Sequence, residues 1–176
     1  THSAWGIAFS ETQRAAITSD PDFELGGYAP GAGPVNGLST ARMIAMVSYR
    51  GRESFESRFE RRTSEDDFAV QSYLKYQGSK LVERFDANTY LTLVGAMDSH
   101  DLSRGRGDIA KVLASVQTPV LAIGISSDIL YPALEVQDLA RGLPNSQYET
   151  LHAPHGHDSF LIEMESLNRI ATRFTA

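Results

Sequence analysis

Two polar clusters near the C-terminal end could do acid–base chemistry together. Asp128 closes the run Ser126-Ser127-Asp128, and His157 stands in His155-Gly156-His157-Asp158. A carboxylate that orients an imidazole, and stabilises its protonated form, is the acid–base half of a Ser-His-Asp system. The acid precedes the base here, as it does in one of the known chain orders of that system. Each cluster also reads without chemistry. Asp suits turns that follow strands, and Asp158 stands where it could cap a following helix. Residues alone leave both readings open. The nucleophile is missing: no Gly-x-Ser-x-Gly elbow occurs, Ser126 and Ser127 lack flanking glycines, and Ser159 falls inside an expected helix. His155, His157 and Asp158 could instead be metal ligands, but nothing else in the chain has metal-ligand spacing, so no metal is expected.

Composition narrows the classes. The chain has 176 residues, 41% hydrophobic and 22% charged, with a formal charge of −6. That is ordinary for a soluble domain able to bury a core. The absence of cysteine excludes disulfides, thiolate metal sites and a cysteine nucleophile. No basic face suggests nucleic acid, and no apolar run approaches membrane-spanning length. The expectation is a cytoplasmic protein with neither nucleic acid nor membrane as partner.

The elements that must position the two clusters follow from periodicity. Apolar spacing predicts helices over Ala4–Thr18, Leu38–Tyr49, Glu53–Glu60, Phe68–Phe85 and Asn88–Met97. A Gly/Pro-rich loop spans Gly26–Gly37, and polar loops cover Arg61–Asp67 and Ser99–Gly107. Asp108 can cap a helix from Ile109 to Val116. Val120–Ile125 is a continuous apolar run after Pro119, the pattern of a buried parallel strand. A helix over Leu134–Leu143, a strand over Gln147–Leu151 and an amphipathic helix over Asp158–Phe174, with Phe160, Leu161, Met164, Leu167, Ile170 and Phe174 as its apolar, inward-facing side, complete the chain. Residues 1–107 are thus read as helical, and 108–176 as the tail of a doubly wound α/β sheet. Asp128 and His157 follow successive strands, where such sheets keep their functional groups. Two strands cannot bury both faces of a sheet, so further strands are expected upstream of Thr1, with the nucleophile among them.

Several runs resemble one family. They are His2-Ser3-Ala4-Trp5 with Glu11-Thr12-Gln13-Arg14, Asn36-Gly37-Leu38-Ser39-Thr40-Ala41-Arg42-Met43, and Ser48-Tyr49-Arg50. Further on come Ser54-Phe55-Glu56-Ser57-Arg58-Phe59, Ser72-Tyr73-Leu74-Lys75-Tyr76-Gln77-Gly78 and Arg84-Phe85-Asp86-Ala87-Asn88. Ser127-Asp128-Ile129-Leu130-Tyr131-Pro132 and Gly156-His157-Asp158-Ser159-Phe160-Leu161 close the pattern. Together they resemble the homoserine O-acetyltransferases, in particular their fungal branch, over nearly the whole chain.

That resemblance implies the C-terminal part of an α/β-hydrolase fold, with residues 1–107 as a helical lid region and 108–176 carrying the last strands and helices. It implies Asp128 as triad acid and His157 as general base. Arg42 would hold the acceptor's carboxylate through its guanidinium fork, Tyr49 would be a second polar contact, and Asp158 would meet the ammonium group. Read without the resemblance, Arg42 is a surface cation, Tyr49 a core aromatic and Asp158 a cap. The resemblance further implies acetyl-CoA as acyl donor, with no permanently bound cofactor, and a place in methionine biosynthesis. It implies an N-terminal segment or chain that carries the nucleophilic serine, and a homodimer formed through the lid. Serine or deacetylcephalosporin C as acceptor, succinyl as the transferred group, and an inactive lid or dimerisation fragment remain as alternatives.

Overall fold

The computed structural model describes residues 1–64 and 67–175. Glu65 and Asp66, in the segment expected to be a polar loop, lie outside the described residues. The chain divides into two compact units. One is Thr1–Ser48 with Ser57–His100, and the other is Tyr49–Glu56 with Asp101–Ala176. The short stretch Tyr49–Glu56 therefore groups with the C-terminal residues.

The first unit is built on helices α1 (Ala4–Thr18), α2 (Val35–Tyr49), α4 (Ala69–Val82) and α5 (Ala87–Ser99). Helix α3 (Arg52–Phe59) runs from one unit into the other. Helix α1 starts at Ser3, whose hydroxyl accepts from the Gly6 amide, and buries Gly6, Ser10, Gln13 and Ile17 at helical spacing. Its chain then turns through a short 3₁₀ segment, Pro21–Gly26. One carboxylate fixes that turn: Asp20 accepts from the amides of Asp22 (3.1 Å) and Gly37 (2.6 Å), joining it to the first turn of α2. Helix α2 begins three residues before the expected Leu38, directly after Pro34, whose carbonyl accepts from the Leu38 amide. Ile17, Leu38, Ala41, Leu81 and Ala87 form the core. Asp86 caps α5 by accepting from the Thr89 amide, and it also accepts from the Tyr28 hydroxyl at 2.7 Å.

The expectation of an all-helical first hundred residues needs one correction. Strands β1 (Thr63–Ser64) and β2 (Asp67–Phe68) form a short antiparallel ladder. Phe68, expected inside a helix, instead stands before α4 with extended backbone, and its amide donates to the Gln71 side chain. The local hydrogen bond overrides the apolar periodicity there.

The second unit contains α6 (Ile109–Ala114), β3 (Val120–Ile125), α7 (Ala133–Arg141) and β4 (Ser146–Leu151). Asp108 caps α6 by accepting from the amides of Ala110 and Lys111. Strands β3 and β4 pair in parallel, from Val120↔Ser146 to Ile125↔Leu151, and α7 makes the crossover. Among the described residues β3 has no other strand neighbour. Ile125, Leu151, Ala153 and Ile170 form the core of this unit.

The single helix expected over Asp158–Phe174 is broken into three pieces. They are a 3₁₀ turn Gly156–Asp158, helix α8 (Ser159–Ile162) and helix α9 (Met164–Thr175). The break falls at Glu163, which leaves helical geometry (φ −89°, ψ 46°) with its carboxylate 3.6 Å from His155 Nε2. Of the apolar positions taken for one buried stripe, Ile170 is buried, whereas Phe160, Leu161 and Met164 are exposed. No helix among the described residues is long and apolar enough to cross a membrane.

Candidate active site

Asp128 and His157 lie beyond the carboxyl ends of β3 and β4, which are hydrogen-bonded neighbours. The ladder continues one step past the strands, with the Ser126 amide donating to the Leu151 carbonyl. Two serines then tie the loops together. Ser127 Oγ donates to the Ala153 carbonyl (2.6 Å) and accepts from the Gly156 amide (2.9 Å), while Ser126 Oγ accepts from the Ala153 amide (3.3 Å). The Ser-Ser preceding Asp128 is thus a brace for the histidine loop, a role the sequence reading did not assign.

The acid is firmly held. Asp128 Oδ1 accepts from the amides of Leu130 (2.8 Å) and Tyr131 (2.9 Å), and Oδ2 lies 2.8 Å from His157 Nδ1. Its side chain is 4% exposed and that of His157 28%, so the carboxylate is sealed while the imidazole keeps an open side. A carboxylate on Nδ1 places the ring proton there and leaves Nε2 with the lone pair, the form a general base requires. Aromatic rings restrain the imidazole: Tyr131 at 5.2 Å, Phe160 at 5.5 Å and Tyr49 at 5.9 Å between centroids.

The remaining expected residues fall in different places. Tyr49, at the end of α2, contributes its ring to the His157 surroundings. Asp158 stands at the N-cap position of α8 but makes no side-chain capping bond; its Oδ2 lies 3.3 Å from Arg50 Nε. The capping alternative for Asp158 is therefore corrected in part: the residue does stand at the start of α8, at the end of a 3₁₀ turn, but its carboxylate is turned to a cation rather than to the amides of α8. Arg42 is half-buried on α2 in the first unit. His155, His157 and Asp158 do not share a ligand position. His155 Nδ1 lies 3.3 Å from Ser54 Oγ, His157 faces Asp128, and Asp158 faces Arg50.

Sequence reasoning missed the backing of this loop. Gly51 and Gly156 pack backbone to backbone: a Cβ on Gly51 would collide with the Pro154 carbonyl, and one on Gly156 with the Gly51 amide. Gly156 also has φ +69°, a left-handed conformation that glycine adopts freely. The positive φ had a signal in the sequence, a glycine between two histidines. The close approach had none, because Gly51 and Gly156 are remote in the chain.

Comparison with known proteins agrees with this architecture. A family model described as alpha/beta hydrolase fold matches residues 1–163. The homoserine O-acetyltransferase of Chloroherpeton thalassium is 56% identical over 174 residues, covering 98% of this chain and 46% of that protein. That of Salinibacter ruber is 50% identical over 179 residues, covering 99% of this chain and 51% of the relative. The crystal structure of homoserine O-acetyltransferase from Staphylococcus aureus superposes with a TM-score of 0.73 at 34% identity, over 97% of this chain and 47% of that one. The chain spans about half the length of the curated relatives it matches. With parallel strands that carry an acid and a histidine at their carboxyl ends, and with the family model matched over most of its length, the chain belongs to the α/β-hydrolase fold family.

Proposed function

We propose that this chain supplies the acid and the base of an O-acetyltransferase that moves an acetyl group from acetyl-CoA to the hydroxyl of homoserine, a step of methionine biosynthesis. The observation that carries the reading is the 2.8 Å bond between His157 Nδ1 and Asp128 Oδ2 at the ends of adjacent parallel strands. About half of the aligned residues are identical to those of homoserine O-acetyltransferases, which supports the choice of reaction.

In this reading a serine outside the 176 residues attacks the thioester carbonyl of acetyl-CoA while His157 Nε2 takes its proton. The tetrahedral intermediate collapses, CoA leaves as the thiol after receiving that proton, and the serine holds the acetyl group as an ester. Homoserine then enters and His157 removes its hydroxyl proton. The alkoxide takes the acetyl group, and the proton returns to the serine. Asp128 holds the imidazole in one tautomer and stabilises its cation. Arg42 holds the acceptor's carboxylate, Tyr49 adds a polar contact, and Asp158 meets its ammonium group. Residues 1–107 act as a lid that excludes water, which would otherwise hydrolyse the acetyl-enzyme.

The test is CoA release by the full-length protein, followed with a thiol reagent. Homoserine-dependent release with parallel double-reciprocal lines is the expected result. Serine and deacetylcephalosporin C serve as competing acceptors. No release with homoserine, or faster release with either competitor, would sink the assignment.

A further inference from the structure

The proposed reaction uses Asp158 but leaves its partner without a role. Arg50 Nε lies 3.3 Å from Asp158 Oδ2, with the two side chains 21% and 20% exposed, so the pair is sheltered rather than a loose surface contact. The segment that carries Arg50 is fixed to the histidine loop at two further points. Gly51 meets Pro154 and Gly156 backbone to backbone, and Ser54 Oγ meets His155 Nδ1 at 3.3 Å. His155 Nε2 in turn faces Glu163, at the break between α8 and α9. Tyr49, the residue before Arg50, lays its ring beside His157.

We infer that Arg50 is a positioning residue for the acceptor: it acts through Asp158, holding that carboxylate in one rotamer so that an ammonium-bearing alcohol is aligned beside His157. The inference rests on the function proposed above. Its physical basis is competition for the carboxylate. Asp158 follows His157 directly in the chain, and a freely rotating carboxylate there could turn toward the imidazole, which Asp128 already engages. A guanidinium on Oδ2 prevents this and leaves the other oxygen for a second cation. Arg50 takes no part in the acyl-donor half-reaction, which involves no ammonium group.

The test compares Arg50→Gln and Arg50→Lys with wild type in the full-length protein, each checked for unchanged thermal unfolding. Loss of a charge-assisted contact of this kind should raise KM for homoserine on the order of 10- to 100-fold, with kcat much less affected. Acetylation of the enzyme by p-nitrophenyl acetate should stay at the wild-type rate, and so should transfer to an alcohol of the same length that lacks the amino group. Arg50→Lys, which keeps the cation, should recover most of the loss. In the double variant with Asp158→Asn, the Arg50→Gln change should add nothing further, because both act on one contact. Wild-type kinetics for homoserine in Arg50→Gln would overturn the inference alone, as would additive losses or an equal loss in the p-nitrophenyl acetate reaction. A wild-type protein that acetylates no ammonium-bearing alcohol would overturn the functional reading and this inference together. Should Arg50→Gln fail to fold, Arg50→Met and the Arg50→Lys kinetics decide between the same outcomes.

Discussion

Two histidine–aspartate pairs among the described residues have nearly the same geometry. His157 Nδ1 lies 2.8 Å from Asp128, and His2 Nδ1 lies 3.0 Å from Asp98. The surroundings differ. Asp98 also accepts from Arg14 at 2.7 Å, and Arg14 is paired in addition with Glu11, so this carboxylate is shared between a histidine and an arginine that link the start of the chain and α1 to α5. Asp128 gives its second oxygen to two backbone amides and keeps its histidine to itself. The His157 loop stands at the ends of strands and is braced from behind by serines and by Gly51, while its imidazole stays partly open. A His–Asp bond is thus not a site by itself. The frame decides whether the second ring nitrogen is offered to a reactant, and of these two pairs His157–Asp128 has the frame built for that.

The strongest way to break this comparison is to remove each histidine in turn from the full-length protein. His157→Ala should lower acetyl transfer by on the order of 10⁴-fold while leaving the unfolding transition in place. His2→Ala should leave the rate near wild type and cost roughly 1–3 kcal/mol of stability, because it deprives a sheltered carboxylate of a donor. Equal rate losses in the two variants would end the distinction. Steady-state kinetics and urea unfolding on the same samples give both answers.

The frame itself can be tested at Gly156. Gly156→Ala imposes a left-handed backbone on alanine, worth about 1–3 kcal/mol, and adds a collision with the Gly51 backbone. Gly105, also at positive φ (+72°), has nothing near its missing Cβ. Gly105→Ala should therefore show the backbone cost alone. Denaturation midpoints should fall further for Gly156→Ala, and only that variant should lose activity.

The smallest effect belongs to acidity. Burial works hardest on Asp98 and favours its neutral form. Hydrogen bonds from His2, Arg14 and Ser10, with the charge of Arg14, outweigh burial and hold its carboxyl below the ordinary range. A depressed carboxyl stabilises the fold fully above the ordinary value of about 3.9. That contribution fades as the pH falls through the depressed value. Wild type should lose urea resistance on acidification more steeply than Asp98→Asn, and matching slopes would remove Asp98 from the acid sensitivity of the first unit.

Local patterns were legible in the sequence where one force acts alone. The apolar run Val120–Ile125 is a strand over those same residues, and α1 has the expected bounds, because continuous burial and a clean Ser3 start leave no competitor. The second strand starts at Ser146, one residue early. The Asp128–His157 meeting was legible because parallel neighbours bring their carboxyl ends together. What was not legible depends on contacts between distant residues. Arg50 looks like any helix-end cation until Asp158 is placed against it, and nothing near Tyr49–Glu56 in the sequence says that the stretch packs with the C-terminal residues. The break at Glu163 escaped for a related reason. Periodicity counted Phe160, Leu161 and Met164 as buried, and they are exposed.

The meeting of Gly51 and Gly156 has a consequence for how this fold can vary. Most close contacts in a core tolerate paired change, with one side chain shrinking as its partner grows. Here both partners are already the smallest residue, and the atoms in contact are main-chain atoms that no substitution removes. No second-site change of side chain can rescue either position. The two glycines should therefore be fixed together in every sequence that keeps the histidine loop in this place, without the reciprocal swaps by which contacting residues usually reveal each other.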